Sequence, residues 1–203
     1  MTATIPRLPE QSTESRFIKT GVSWEDFKAI QQGFSKLPGI RLFYYRGELE
    51  ILGTSPEHEI VKGNIGFLVE DHLLTTGVEF VATGSFSQER EDEAAAQADE
   101  SYCFDEQKPI PDLAVTISSY AKGNEVVITS GGPSKLRRYR ALGVKEVWFW
   151  EDGVIEIHYL EGDDYKRISR SRFLPDLNTE HLAMCAAIVS RPEAVRQFRA
   201  RGQ

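Results

Sequence analysis

The sequence predicts a single α/β domain, and three observations predict it. Short runs rich in Val, Ile, Thr and aromatic residues alternate along the chain with segments whose apolar residues recur at helical spacing. One stretch, Pro111 to Leu142, sets two such runs directly ahead of a helix. The chain of 203 residues, 40% hydrophobic with eleven Phe, is long enough for one well-buried core and too short to force two.

Residues Met1 to Thr20 carry Pro6 and Pro9 and no sustained period, so they read as a loose arm or an extended edge segment. Ser23 and Asp26 form a capping-box pattern, and Phe27, Ile30, Phe34 and Leu37 follow at helical spacing until Pro38-Gly39 stops the helix. Ile40 to Tyr45 and Glu48 to Leu52 are extended runs joined by Arg46-Gly47, with Glu48 and Glu50 on one face and Leu49 and Ile51 on the other. Ser55-Pro56-Glu57 starts a second helix with Val61, Ile65, Leu68, Val69, His72 and Leu73 on its apolar stripe, and Gly77 ends it. Here His58 reads as exposed or hydrogen-bonded and His72 as a satisfied core histidine; neither is expected to ligate a metal.

Val78 to Ala82 and Gly84 to Gln88 read as short strands, and EREDEAAAQA, from Glu89 to Ala98, as a solvated acidic loop. Leu113 to Ile117 and Val126 to Thr129 read as adjacent antiparallel strands around the loop SSYAKGN. Gly131-Gly132-Pro133 then opens a helix that Gly143 closes. Glu146 to Trp150 and Val154 to Leu160 are joined by Asp152-Gly153, a hairpin dipeptide, and the run Trp148-Phe149-Trp150 reads as a buried strand more than as a surface for stacking bases. Tyr165 to Ile168 adds an edge strand, Asn178 caps a helix through Leu182, Cys185 and Ile188, and Ser190 with Glu193 caps a basic last helix. The expected organisation is an N-terminal arm over residues 1–20, the domain over 21–177 and C-terminal helices over 178–203.

A formal charge of −7 argues against a broadly basic surface for nucleic acid, although Arg137, Arg138, Arg140 and Lys145 cluster locally. Such a cluster also reads as a solvated helix face. Two cysteines, Cys103 and Cys185, stand far apart, which indicates neither a disulfide framework nor a zinc site and suits reduced thiols in a cytoplasm. With no basic-then-apolar leader and no apolar run of bilayer length, a soluble, unexported protein is expected.

The chemistry gathers at strand ends. Asp112 opens the strand at Leu113, Glu125 opens the next, and Lys135 lies in the first turn of the helix that follows. Hard divalent cations take carboxylate oxygens, and a nearby ammonium steadies a metal-bound hydroxide or the charge on a phosphate, so two acids and a lysine suggest metal-assisted phosphodiester hydrolysis. The same residues also read as a Pro-Asp turn, a solvated edge acid and an exposed helical lysine. Asp99, ahead of the run SYCF, is a third acid at a strand entrance and a rival to Asp112.

The order SPEHEIVKGNI, ADESYCF, PDLAV, EVVITSGG and SKLRRYRALGVKEVWFWEDG resembles a restriction endonuclease family, formerly a domain of unknown function, of the restriction-endonuclease-like PD-(D/E)XK superfamily. The resemblance covers roughly Gly47 to Leu177. It implies a restriction-endonuclease-like fold with a mixed central sheet flanked by helices, and a magnesium-type ion, Mn2+ being a possible substitute, held by acids from neighbouring strands. Asp99 matches the family's aspartate at the strand entrance, though Ala98 stands where Pro is usual; Glu125 matches the second acid. Val127 occupies the simple motif's lysine position, and Lys135 matches the displaced lysine on the following helix. Glu48 matches an acid often present, as an auxiliary metal ligand.

Relatives resemble PDLAVEVV without interruption, so Thr116 to Asn124 reads as an insertion of nine residues. An insertion that breaks the strand takes Glu125 out of the site and leaves Thr116 in its former place; a strand that restarts after a loop retains Glu125, which the intact EVVITSGG favours. The resemblance therefore implies a metal-dependent endonuclease acting on DNA, with Asp99 and Glu125 on the ion, Asp112 as substitute or outer acid, and Lys135 at the hydroxide. A homodimer would suit cleavage of both strands. The alternative is a catalytically inactive nuclease-fold domain acting as a binding or oligomerisation module, which the acidic charge and the insertion favour.

Overall fold

The structure, a computed structural model, describes residues 15–85, 87–118 and 133–200. Local chemistry accounts for the first elements. β1 (Ser15–Lys19) is an edge strand, followed by α1 (Trp24–Phe34), where Ser23 Oγ accepts from the Asp26 amide at 3.0 Å and satisfies one of the orphan first-turn donors. β2 (Ile40–Tyr45) and β3 (Glu48–Gly53) form a hairpin whose turn residues Arg46 and Gly47 both take positive φ, 45° and 87°, as a two-residue turn requires. α2 (Pro56–Thr76) is capped by Ser55, which accepts from the His58 amide at 3.1 Å, and ends at left-handed Gly77.

β4 (Phe80–Ala82), β5 (Ser87–Arg90), β6 (Ala94–Gln97) and β7 (Glu100–Phe104) come next. The alanine-rich segment expected as a solvated loop is instead the β5–β6 hairpin. β6 lies between β2 and β5 and is packed on both faces, with Ala94, Ala95 and Ala96 all buried, so no polar alternation marks it. Glu89, Arg90, Glu91 and Asp92, the last at φ 58°, remain in solvent. β8 (Leu113–Ser118), α3 (Pro133–Leu142), β9 (Glu146–Glu151), β10 (Val154–Glu161), β11 (Asp164–Ile168), α4 (Thr179–Ala186) and α5 (Arg191–Ala200) complete the chain. The strand expected over Val126 to Thr129, with Glu125 ahead of it, lies outside the described residues.

Two sheets result. One is antiparallel, in the order β1-β3-β2-β6-β5; the other is mixed, in the order β11-β10-β9-β8-β7-β4, with β8 and β9 parallel. A parallel pair needs a crossover, and α3 lies in it. Strand alternation then assigns three cores. Leu113, Val115, Ile117, Trp148 and Trp150 face α2, α4 and α5; Ala114, Val147 and Phe149 face α3 and the inner face of the antiparallel sheet; Leu42, Tyr44 and Leu49 face α1. The mixed sheet is thus flanked by helices on both sides, and the aromatic run of β9 is a buried strand, as expected. Among the described residues, no helix is long and apolar enough to cross a membrane.

Candidate active site

The face of the mixed sheet turned towards α3 carries a buried polar cluster centred on Asp99, which is 3% exposed. Its Oδ1 lies 2.8 Å from His58 Nε2 and 3.1 Å from an Arg41 guanidinium nitrogen, and its Oδ2 accepts from the Ile117 amide at 2.8 Å. Each partner arrives from a different element: Arg41 from β2, His58 from the first turn of α2, Ile117 from β8. Burial pushes the Asp99 carboxyl up, but the His58 hydrogen bond, the charges of His58 and Arg41 and the Ile117 amide outweigh it and hold the group below the ordinary aspartate value. His58 is therefore hydrogen-bonded, as one of its two readings had it, and wholly buried.

Asp99 N donates to Val115 O at 2.9 Å, so Thr116 of β8 is its neighbour across the ladder. The Thr116 hydroxyl lies 2.7 Å from the Tyr139 hydroxyl on α3. Lys135, 4% exposed, stands one turn before Tyr139 on the same buried face of that helix. Asp99, Thr116 and Tyr139 thus gather around the C-terminal half of β8, with Lys135 one turn from Tyr139 on α3.

Two of the expected acids sit elsewhere, and one is outside the described residues. Asp112 stands at the opposite end of β8, roughly 13 Å from Thr116 at about 3.3 Å per residue, where its Oδ2 accepts from the Phe104 amide at 2.9 Å and from Lys108 Nζ at 2.6 Å. Glu48 faces Arg138, at 3.6 Å. Glu125 belongs to residues 119–132, outside those described.

A second buried cluster lies along the same inner face of β3. Glu50, 1% exposed, accepts from Arg16 Nε at 2.6 Å and from Arg138. Burial pushes its carboxyl up, yet the Arg138 charge and the Arg16 and Arg138 hydrogen bonds bring it below the ordinary value. Arg138, expected on a solvated face, is buried because α3 packs that side against Phe43 and Glu50. The sequence signal for both clusters was a charged residue at an alternating position inside an apolar strand, Arg41 in IRLFYY and Glu50 in ELEIL.

On the other face of β7, Glu100 meets α2 where Gly66 lets the helix approach; a Cβ there would lie 3.1 Å from the Glu100 carboxyl. Burial raises this carboxyl to about 7, with Lys62 opposing and Glu70 and Asp99 adding. A raised folded-state value means the folded chain binds the extra proton, so stability falls as pH rises from the unfolded glutamate value towards 7. Urea unfolding across that range in EDTA should show the decline in the wild type and a flatter profile in Glu100→Gln; identical slopes would refute the assignment.

Divalent ions of the magnesium type take about six oxygen ligands in near-octahedral geometry. Among the described residues, no group of three or more His, Cys, Asp or Glu side chains comes together to hold a metal ion. Asp99 offers one carboxylate whose oxygens already accept three donors, so the described residues do not by themselves fit such an ion. Beside the cluster, a groove of about 1280 Å³ opens between α1, the start of β2, the first turns of α2 and the β5–β6 edge. Arg41 lines it, along with Lys28, Lys62 and Gln97, so one guanidinium serves both groove and Asp99.

No curated protein matches the sequence. The model of the family described as Uma2, Putative restriction endonuclease, matches residues 24–185, from the start of α1 to the last turn of α4, and the chain belongs to that family.

Proposed function

We propose that the chain is an endonuclease that hydrolyses phosphodiester bonds of DNA with a divalent ion, Mg2+ or Mn2+, and that Asp99, Glu125 and Lys135 form its catalytic set. The observation that supports this reading is a buried, ionised Asp99 beside the C-terminal half of β8, with a buried Lys135 one helical turn from the Tyr139 that touches that strand, in a member of this family. Restriction endonuclease families generally use a divalent metal and act on DNA, which supports both finer assignments. Glu125 would supply the second carboxylate, with Asp112 and Glu48 as outlying acids. When bound, the ion would offset charge on the phosphate oxygens and acidify a water. The chain's own residues prepare the site: His58, Arg41 and the Ile117 amide hold Asp99 ionised, Thr116 and Tyr139 brace α3 against β8, and α3 carries Lys135. An anionic strand in the groove competes with Asp99 for Arg41. A homodimer and a cytoplasmic setting belong to the same proposal.

The test is a Mn2+ titration read by thermal melting and by nicking of supercoiled DNA, on wild type, Glu125→Ala and Lys135→Ala. Wild type should gain melting temperature with the ion and cut; Glu125→Ala should lose both responses. Lys135→Ala should remain folded and lose cleavage by at least about a hundredfold, the scale of one electrostatic stabiliser. Cleavage unchanged in Lys135→Ala would remove that residue from the set.

The second reading, a catalytically silent module that keeps the fold for binding or oligomerisation, is favoured by the saturated oxygens of Asp99 and by Thr116 beside it on β8. It expects no metal-dependent melting shift and no cleavage in the wild type, with DNA binding or self-association retained.

A further inference from the structure

The outward face of α3 carries a second polar site. Lys135, Arg138 and Tyr139 turn inward and are buried, which sends Arg137 and Arg140, one turn apart, the other way. Between that face and the β10–β11 hairpin lies a pocket of about 370 Å³, lined by Arg137, Arg140, His158, Asp164, Tyr165 and Arg167.

Its floor is built. His158 is 9% exposed and packs edge-on to Phe149 at 5.6 Å between ring centroids. Its Nε2 makes no hydrogen bond, and Glu156, at 3.7 Å, lies beyond hydrogen-bonding reach. Burial lowers the imidazole below the ordinary histidine value while Glu156 pulls the other way, so near pH 7 the ring is neutral and its Nε2 stays buried without a partner in the wall of the pocket. Tyr165 is anchored by its hydroxyl, which donates to Val144 O at 2.5 Å.

Its walls are cationic. Arg137 makes no ion pair among the described residues and stands 5.9 Å over the Tyr45 ring. Arg140 meets Asp164 at 3.4 Å and Arg167 meets Glu156 at 3.0 Å, both through half-exposed or exposed side chains. Pairs of that kind contribute at most about 1 kcal/mol and yield readily to a better anion. Three guanidinium forks around one small cavity, in a chain of net charge −7, match the planar, multidentate recognition of a phosphate. At about 370 Å³ the pocket has room for a phosphate with its sugar.

We propose that this pocket is a phosphate-binding site and that it seats a backbone phosphate of nucleic acid on the side of α3 opposite Lys135. The choice of nucleic acid as the source of the phosphate rests on the proposed function; the anion site itself does not. Fluorescence anisotropy of a labelled DNA duplex, in EDTA so that metal and cleavage play no part, tests it on wild type and on Arg137→Ala/Arg140→Ala, with Arg167→Ala as a second variant. All three arginines are exposed enough to be replaced without unfolding the chain. Both variants should weaken binding, and the slope of log affinity against log salt should fall by about 1 for the one phosphate lost. A parallel calorimetric titration with inorganic phosphate separates the sources: heat lost in the variants while duplex binding is unchanged would assign the pocket to free phosphate. Unchanged affinity, slope and phosphate heat in both variants would overturn the site, whether or not the protein proves to be a nuclease.

Discussion

Asp99→Asn should destabilise the fold by about 3–5 kcal/mol, the cost of leaving a buried charge without its partner. The substitution keeps the shape of the side chain, removes its charge and turns one acceptor oxygen into a donor, so Arg41, 8% exposed at its side chain, would remain buried beside a neutral amide, and either wholly buried His58 or the Ile117 amide would lose its acceptor. Urea unfolding in EDTA measures the loss directly; a change below about 1 kcal/mol would mean that the cluster is no more than a surface pair. The pH dependence carries the same signature with a definite sign. The folded-state value of Asp99 is depressed, so its contribution is fully present above the unfolded aspartate value and is lost as pH falls through the lower folded value. Asp99→Asn should therefore be less stable than wild type near neutrality and should converge on it in strong acid. The same variant separates two roles. A carboxylate kept for a metal alone is a burden without the ion, and its removal would stabilise the metal-free chain.

Glu50→Leu should cost a comparable amount, about 3–5 kcal/mol, because one carboxylate answers two arginines. Arg16 and Arg138 both lie against it, and Arg138 already has two guanidinium nitrogens, Nε and Nη1, buried without hydrogen bonds. Adding Arg138→Met should recover much of the loss, since a methionine of similar length packs against Phe43 with no charge to desolvate. A double-mutant cycle by urea unfolding reads the coupling, expected at about 1–3 kcal/mol. Additive losses would show that Glu50 and Arg138 are solvated in the native state and that α3 sits less closely on the antiparallel sheet.

The local signals proved readable wherever a single side chain satisfies a backbone group a few residues away. Ser23, Ser55 and Asn178 each accept from an amide three residues on, and the hairpin turn at Arg46-Gly47 has the positive φ its dipeptide implies. The β5–β6 hairpin was not readable, because Ala94, Ala95 and Ala96 are buried on both faces and erase the two-residue period on which a strand is recognised. The same limit hid Arg138 among the basic residues of α3, since helical phase tells which residues share a face and not which face meets another sheet.

By itself, then, the sequence determined the α/β class, most of the element order and the family, and it offered Asp99, Asp112, Glu125, Lys135 and Glu48 as candidates to test. Only the tertiary structure decided which charges meet. Asp99 finds Arg41 and His58 across 58 and 41 residues of chain, and Glu50 finds Arg138 across 88. Each of those pairs depends on how the antiparallel sheet, α2 and α3 pack against the mixed sheet. Capping and turn chemistry act over three or four residues, whereas the partner of a buried charge is chosen by the closure of distant surfaces, where an unpaired ion is too costly to leave.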